Sequence, residues 1–399
     1  MYPSQPLKTI AEVNTETLPE TTDPDWTFRY IDIGAVGRGE LVADLVEMSF
    51  GAAPSRARRV IRAGDTIISS VRTYLRAVLP VDERLDGTVV STGFAVARPV
   101  AVEPRFLAWV LQSDVFVEEV VARSTGVSYP AINPAELASV RVPVPLQSEQ
   151  QRIARFLEEE IATVDDLIAA KQRMAALLDE RLAAAIEEML APVGERTALL
   201  ARFARIQSGL TIDAKNELLP GAEPYPYLRV ANVQPGRVDL TEVKTALVEP
   251  SRAQRHRLRA GDVLMTEGGD IDKLGRGTVW AEQIEGCLHQ NHVFAVRTDP
   301  HLLDPRFLAL VTLSRAARTY FESTGVQSTN LASTSASKVL ALPVPAVPLA
   351  DQRRLVAAYE HERAATDRIV ETLDDQIALL QERRRSLITA VVTGEMEVP

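Results

Sequence analysis

EQQRIARFLEEEIATVDDLIAAKQRMAALLDERLAAAI, from Glu149 to Ile186, and DQRRLVAAYEHERAATDRIVETLDDQIALLQERRRSLI, from Asp351 to Ile388, are two versions of one segment. They align without a gap at a constant offset of 202 residues, pairing Gln150 with Gln352, Arg152 with Arg354, Asp165 with Asp367, and Glu180-Arg181 with Glu382-Arg383. A gapless register of this length is what a helix demands, because an insertion turns every later residue onto another face. A 4-3 spacing begun at Leu157 selects Leu157, Ile161, Val164, Ile168, Lys171, Ala175, Leu178, Leu182, Ala185 and Met189. In the second segment it selects Tyr359, Arg363, Thr366, Val370, Leu373, Ile377, Leu380, Arg384, Leu387 and Val391. Such a stripe is a seam for a partner helix. About 40 residues at 1.5 Å rise make a rod of roughly 60 Å. Each rod can pack on its own domain, or the two can pack on each other. Two like modules in one chain imitate a two-fold dimer, which favours mutual, antiparallel packing.

The repeat extends upstream of both helices. RAGDTI (Arg62–Ile67) matches RAGDVL (Arg259–Leu264), and PRFLA occurs at Pro104 and Pro305, STGV at Ser124 and Ser323, and PVP at Pro143 and Pro343. Here the offsets drift, as loops of unequal length allow. A period near 200 residues means two copies of a domain rather than a solenoid. Each copy runs from a globular stretch through a proline-punctuated extended segment into a long helix. The expected boundaries are 1–148, a first domain; 149–190, a spacer helix; 191–350, a second domain; and 351–399, a second spacer helix. Ser148 with Gln151 fits a capping box, and Asp351 suits the positive end of the second helix. Short β-branched runs such as DTIISSV (Asp65–Val71), TVVSTGFAVA (Thr88–Ala97) and HVFAVR (His292–Arg297) precede PRFLAWVLQS and PRFLALVTLS helices. The fold class is α+β: two pseudo-symmetric mixed α/β domains separated by a long antiparallel two-helix coiled coil.

The net charge of −10 argues against nucleic-acid binding until it is mapped. Residues 149–190 hold −5 of it and 351–399 hold −3, leaving the domains nearly neutral. Local field, not the average, decides whether a surface meets phosphate. Arg56, Arg58, Arg59, Arg62, Arg72 and Arg76 cluster in the first domain, and Arg252, Arg255, Arg257 and Arg259 in the corresponding stretch of the second. A solvated face explains one such cluster; its recurrence points to phosphate contact.

The segment TEGGDIDKLGRGTVW (Thr266–Trp280) is a glycine-rich loop or an irregular hairpin carrying Asp270, Lys273 and Arg276. It lacks the Lys-Ser/Thr ending of a P-loop, so nucleotide triphosphate binding is not expected. CLHQNH brings Cys287, His289 and His292 together in sequence, but a fourth zinc ligand is not evident, and neither metal nor cofactor is expected. Cys287 is the single cysteine, so an intrachain disulfide is excluded. The N-terminus lacks a signal-peptide layout and no apolar run approaches a membrane span, so a cytoplasmic protein is expected.

With these features assembled, the chain resembles the specificity subunits of type I restriction–modification systems over essentially its whole length. The residues that carry the resemblance are VPVPLQSEQQRIARFLEEE (Val142–Glu160), LPVPAVPLADQRRLVAAYEHE (Leu342–Glu362), the closing LLQERRRSLITAVVTGEMEV (Leu379–Val398), and TEGGDIDKLGRG with HQNHVF. The second copy departs by Asp351 in place of glutamate and by three extra residues between PVP and PL. The resemblance implies a non-catalytic chain with two target recognition domains, each reading one half of a split double-stranded DNA target. It also implies helices that dock methyltransferase subunits, two of them, with a restriction subunit able to join. Candidate base-contacting residues are Ser128 and Tyr129 in the first domain and Asp270, Lys273, Arg276, Gln327 and Asn330 in the second. The competing reading is a duplicated coiled-coil adaptor that binds proteins only.

Overall fold

The computed structural model describes residues 1–212, 221–269, 271, 274–327 and 332–399. The chain divides into two units, Met1–Gln172 with Asp374–Pro399, and Arg173–Leu373.

The first unit holds two four-stranded sheets. One runs Ala11–Val13, Phe94–Pro99, Thr66–Ser69, Val78–Pro80, all antiparallel; the other runs Val46–Ser49, Thr27–Ile31, Val89–Ser91, Ala57–Val60, with the middle pair parallel. Helices Pro104–Gln112 and Asp114–Arg123 cover the first sheet's inner face and bury Phe106, Leu107, Phe116 and Val120 in a core with Ile68 and Ala95. Proline at the first helical position is pre-set for the turn, and the Ser113 hydroxyl caps the following helix by accepting from Phe116 N–H at 3.4 Å.

The second unit repeats this plan. Its antiparallel sheet runs Ala204–Ser208, Val293–Thr298, Val263–Thr266, Gly277–Val279, and its mixed sheet runs Lys244–Val248, Glu223–Leu228, Leu288–His289. Helices Pro305–Thr312 and Arg315–Thr324 follow, with Ser314 capping as Ser113 does. The edge of the mixed sheet differs. Where the first unit has the edge strand Ala57–Val60, the second has the short helix Pro250–His256 and a single bridge between Arg257 and Leu288.

The repeated RAGD motif is a structural device. Asp65 is buried, accepts from Arg62 N–H at 2.8 Å and pairs with Arg98 at 2.9 Å; Asp262 is buried, accepts from Arg259 N–H at 2.9 Å and pairs with Arg297 at 2.8 Å. A buried carboxylate persists only when paired and hydrogen-bonded, and Asp65 in turn holds the Arg98 guanidinium above its ordinary pKa. The glycine adopts φ of +89° at Gly64 and +87° at Gly261, a conformation that costs other residues energy.

The long helices span Gln147–Leu190 and Leu349–Thr393, and each contributes half of itself to each unit. In the first unit, Ile153, Leu157 and Ile161 share a core with Ile388, Val391 and Val392, and Asp165 pairs with Arg384 at 3.0 Å. In the second unit, Ile186 and Leu190 share a core with Val356, and Arg181 lies 3.9 Å from Glu362. Within each unit the numbering of the two helices runs in opposite senses, so they are antiparallel. All the residues selected by the 4-3 spacing are buried or half-buried, including the polar ones. Lys171 donates to Gln376 Oε1 at 2.5 Å, which satisfies the one ammonium in the seam. The capping box expected at Ser148 does not form, because the helix already begins at Gln147 and places Ser148 inside its first turn. The work falls instead to Gln150, whose Nε2 donates to Pro145 O and whose Oε1 accepts from Glu103 N–H, both at 2.8 Å.

Candidate nucleic-acid interface

In the first unit two loops are stitched together. The segment after Ser69 meets the segment after Arg123: Val71 bridges to Ala131, Arg72 N–H donates to Pro130 O at 2.7 Å, and the Thr73 and Ser124 hydroxyls lie 2.7 Å apart. Arg72 lies over the Tyr129 ring, 4.7 Å from its centroid. The sequence-predicted Arg72, Ser128 and Tyr129 thus share one exposed edge. The short turn Thr73–Leu75 is flanked by Arg72 at φ +51° and Arg76 at φ +57°, both left-handed without being glycine. Such conformations persist only where the surroundings over-determine them. Buried Thr73 fixes one side, and Arg76, paired with Asp114 and 3.4 Å from Glu118, fixes the other.

The second unit brings the matching loops together. Gly268–Gly269 pairs with Ala332–Ser333, which pairs with Val326–Gln327, and Thr334 N–H donates to Glu267 O at 2.7 Å. Gln327 therefore stands beside the glycine-rich loop, whose half-buried Arg276 gives its carbonyl to Thr266 N–H at 3.4 Å. Asp270, Lys273 and Asn330 lie outside the described residues.

In the first unit the other predicted arginines are each held by a partner of their own. Arg56 pairs with Asp32 at 3.0 Å, Arg62 pairs with Glu16, and Arg59 donates to Asn14 Oδ1. Arg58 lies 4.4 Å over the Phe50 ring. The Arg62 guanidinium holds the Glu16 carboxyl below the usual carboxylate range. In the second unit Arg252 and Arg255 lie on the short helix Pro250–His256, Arg257 is 3.8 Å from Glu285, and Arg259 is exposed at the turn before Val263. The two clusters correspond strictly only at Arg62 and Arg259; the remainder sit on a strand and turn in one unit and on a helix and the bridge that follows it in the other, because that edge of the sheet differs.

Other residues emerge only in three dimensions. Tyr74 is 51 % exposed, Leu75 54 % and Val127 102 %, apolar side chains on the same edge as Tyr129. Arg38, whose pKa is lowered by burial and then by neighbouring Arg76, Arg385 and Arg384, stands with Arg384 and Arg385 at a groove of about 830 Å³ that also includes Asp165 and Asp166. The CLHQNH residues separate: Cys287 and His289 are buried, and exposed His292 sits 3.0 Å from Glu267.

No family model matches the sequence. The chain is similar to the type I restriction enzyme EcoKI specificity subunit of Escherichia coli (strain K12), 23 % identical over 311 residues covering 73 % of this chain and 65 % of that protein. It is also similar to the StySPI specificity subunit of Salmonella potsdam, 22 % identical over 308 residues covering 74 % of this chain and 66 % of the relative. The match thus spans just under two thirds of each relative's own length. Its fold is shared by a chain in a solved structure described as the structural basis underlying complex assembly and conformational transition of the type I R-M system, with a TM-score of 0.71, 22 % identity, and coverage of 99 % of this chain and 98 % of that one. Among the described residues no helix is long and apolar enough to cross a membrane.

Proposed function

We propose that this chain, a relative of the type I restriction enzyme specificity subunits, is the non-catalytic DNA-reading subunit of such a complex. Each unit reads one half of a bipartite target, and the paired helices set the gap between the halves and dock the methyltransferase subunits. The observation that carries the reading is the recurrence of the stitched loop pair: the loop after Thr66–Ser69 with that after Asp114–Arg123, and the loop after Val263–Thr266 with that after Arg315–Thr324. One duplicated scaffold presents two differing loop edges, which is what reading two different half-sites requires. In the major groove each base pair offers its own donor–acceptor pattern, and arginine on phosphate fixes register without reading sequence.

Two methyltransferase partners are supported by the helices. The exposed apolar residues Leu167 and Ile369, at 47 % and 42 %, and Leu177 and Leu379, at 62 % and 64 %, recur at the fixed offset outside the seam. Repeated apolar exposure on otherwise acidic helices suits two equivalent protein contacts. The proposed domain limits are those of the sequence, 1–148 and 191–350 for reading and 149–190 and 351–399 for spacing.

The test is co-expression with methyltransferase subunits of the type I class and mapping of methylated bases across bulk DNA. The expected result is methylation confined to a split sequence with a fixed spacer. Sequence-independent methylation, or none, contradicts the reading and leaves the protein-only adaptor.

A further inference from the structure

We infer that the edge made by the Thr73–Leu75 turn and the Gly126–Tyr129 loop reads thymine, with Tyr74, Leu75 and Val127 placed against C5-methyl groups in the major groove. The inference rests on the DNA-reading assignment of the first unit and specifies what that unit reads. Three apolar side chains, each more than half exposed, stand on loops held by the Arg72 N–H to Pro130 O bond at 2.7 Å and the Thr73–Ser124 hydroxyl contact at 2.7 Å. A folded protein does not gain from holding an apolar edge rigidly in water, so a partner surface is implied. Arg72, on the same edge over the Tyr129 ring, supplies a cation suited to a polyanion. Duplex DNA combines that charge with an apolar group in its major groove, and the group is the thymine methyl. The hydroxyls of Ser128, Tyr129 and Tyr74 add few donors, so contact with methyl groups contributes a large share of discrimination here. Among the described residues of the second unit's counterpart, Val326, the repeat partner of Val127, is 60 % exposed, but Ile271 is half-buried and Leu274 buried, so a comparable thymine preference is not expected of it.

The experiment uses the full chain assembled with methyltransferase subunits and duplexes bearing the mapped target, with each thymine replaced by deoxyuridine in one half-site at a time. Loss of one methyl contact is expected to weaken binding about fourfold, the factor that corresponds to burial of one methylene-sized group. The effect should occur in a single half-site. Leu75→Ser and Tyr74→Ser should weaken binding to the thymine duplex and remove most of the deoxyuridine penalty, while thermal unfolding stays unchanged because both side chains are exposed. Val127→Ser serves as a third probe of the same edge. The inference is overturned if deoxyuridine is neutral in both half-sites, or if its penalty persists undiminished in all three variants. It is equally overturned if the variants lose binding through reduced DNA bending with no dependence on the methyl group, which would mark a wedge between base steps. Absence of sequence-specific binding by the wild-type assembly is a different result, and rejects the DNA-reading assignment beneath it.

Discussion

Gln150 and Gln352 stand 202 residues apart in the chain and share two matching bonds. Each is buried at the start of a long helix. Gln150 links Glu103 N–H to Pro145 O; Gln352 links Asp304 N–H at 2.8 Å to Val347 O at 2.8 Å and Leu302 O at 2.9 Å. Each amide thereby ties the helix start to the N-terminal end of a domain helix by pairing with backbone groups there. Gln150→Ala and Gln352→Ala should each cost about 1–3 kcal/mol, the penalty for leaving buried backbone groups unpaired. Hydrogen exchange should show faster opening confined to the unit carrying the substitution. Equal protection in wild type and both variants would reject the clamp.

The helical seam leads to a second expectation. Both helices continue from one unit into the other, so adding seven residues to each, between matched positions, preserves the 4-3 stripe and lengthens the rod by about 10 Å. Under the proposed reading the permitted spacer between half-sites should grow by about three base pairs at 3.4 Å each. Methylation mapping of the lengthened variant measures this directly, and an unchanged spacer would defeat the idea that the helices set the gap.

The duplication, the seam and the strand–helix order were legible because they are periodic or repeated, and such patterns survive in one dimension. Lys171 is the one charged residue in the first stripe; its partner Gln376 lies more than two hundred positions away and is not readable from its neighbours. The arginine clusters were less legible for the same reason. Arg62 meets Glu16 and Arg76 meets Asp114, long-range pairs that a local count of charge cannot see. Tyr74 and Leu75 were hidden by chemistry: apolar residues after a strand read as core, and only the fold exposes them.

His289 predicts a pH dependence. Its Nδ1 lies 2.6 Å from Val293 O, and since a carbonyl only accepts, Nδ1 carries the hydrogen and Nε2 the lone pair. Nε2 is buried with no partner among the described residues, and burial lowers the pKa to about 4 from 6.5. The native state therefore disfavours protonation more than the unfolded chain does. Stability is full above about pH 6.5, declines as pH falls towards 4, and levels off below that, a loss of about 3 kcal/mol at most. Denaturation midpoints between pH 4 and 7.5 should flatten in His289→Leu. A wild-type curve as flat as the variant's would show that the imidazole does not sense pH.

Cys287 should be chemically silent in the native protein. Burial pushes its thiol up to about 12, and it is the single cysteine. Reactivity requires the thiolate and access, and both are withheld. An aromatic disulfide reagent at pH 8 should modify it no faster than the second unit opens, and at full speed once denaturant unfolds the chain. Rapid labelling without denaturant would place the sulfur at the surface.

The loop pairs can be separated from each other by substitution. Tyr129 stacks beneath Arg72 in the first unit, and Arg276 belongs to the glycine-rich loop of the second, so each reaches a different half of the proposed target. Tyr129→Ala removes the platform that orders Arg72, and Arg276→Ala removes a guanidinium from a loop whose backbone is held independently by strand pairing. Loss of a good base contact costs about 1–3 kcal/mol of discrimination. Methylation mapping should therefore show one relaxed half-site for Arg276→Ala and the other for Tyr129→Ala, with the spacer unchanged in both. If either variant relaxes both halves, or both relax the same half, the two loop edges do not read separately and the one-unit, one-half-site scheme fails.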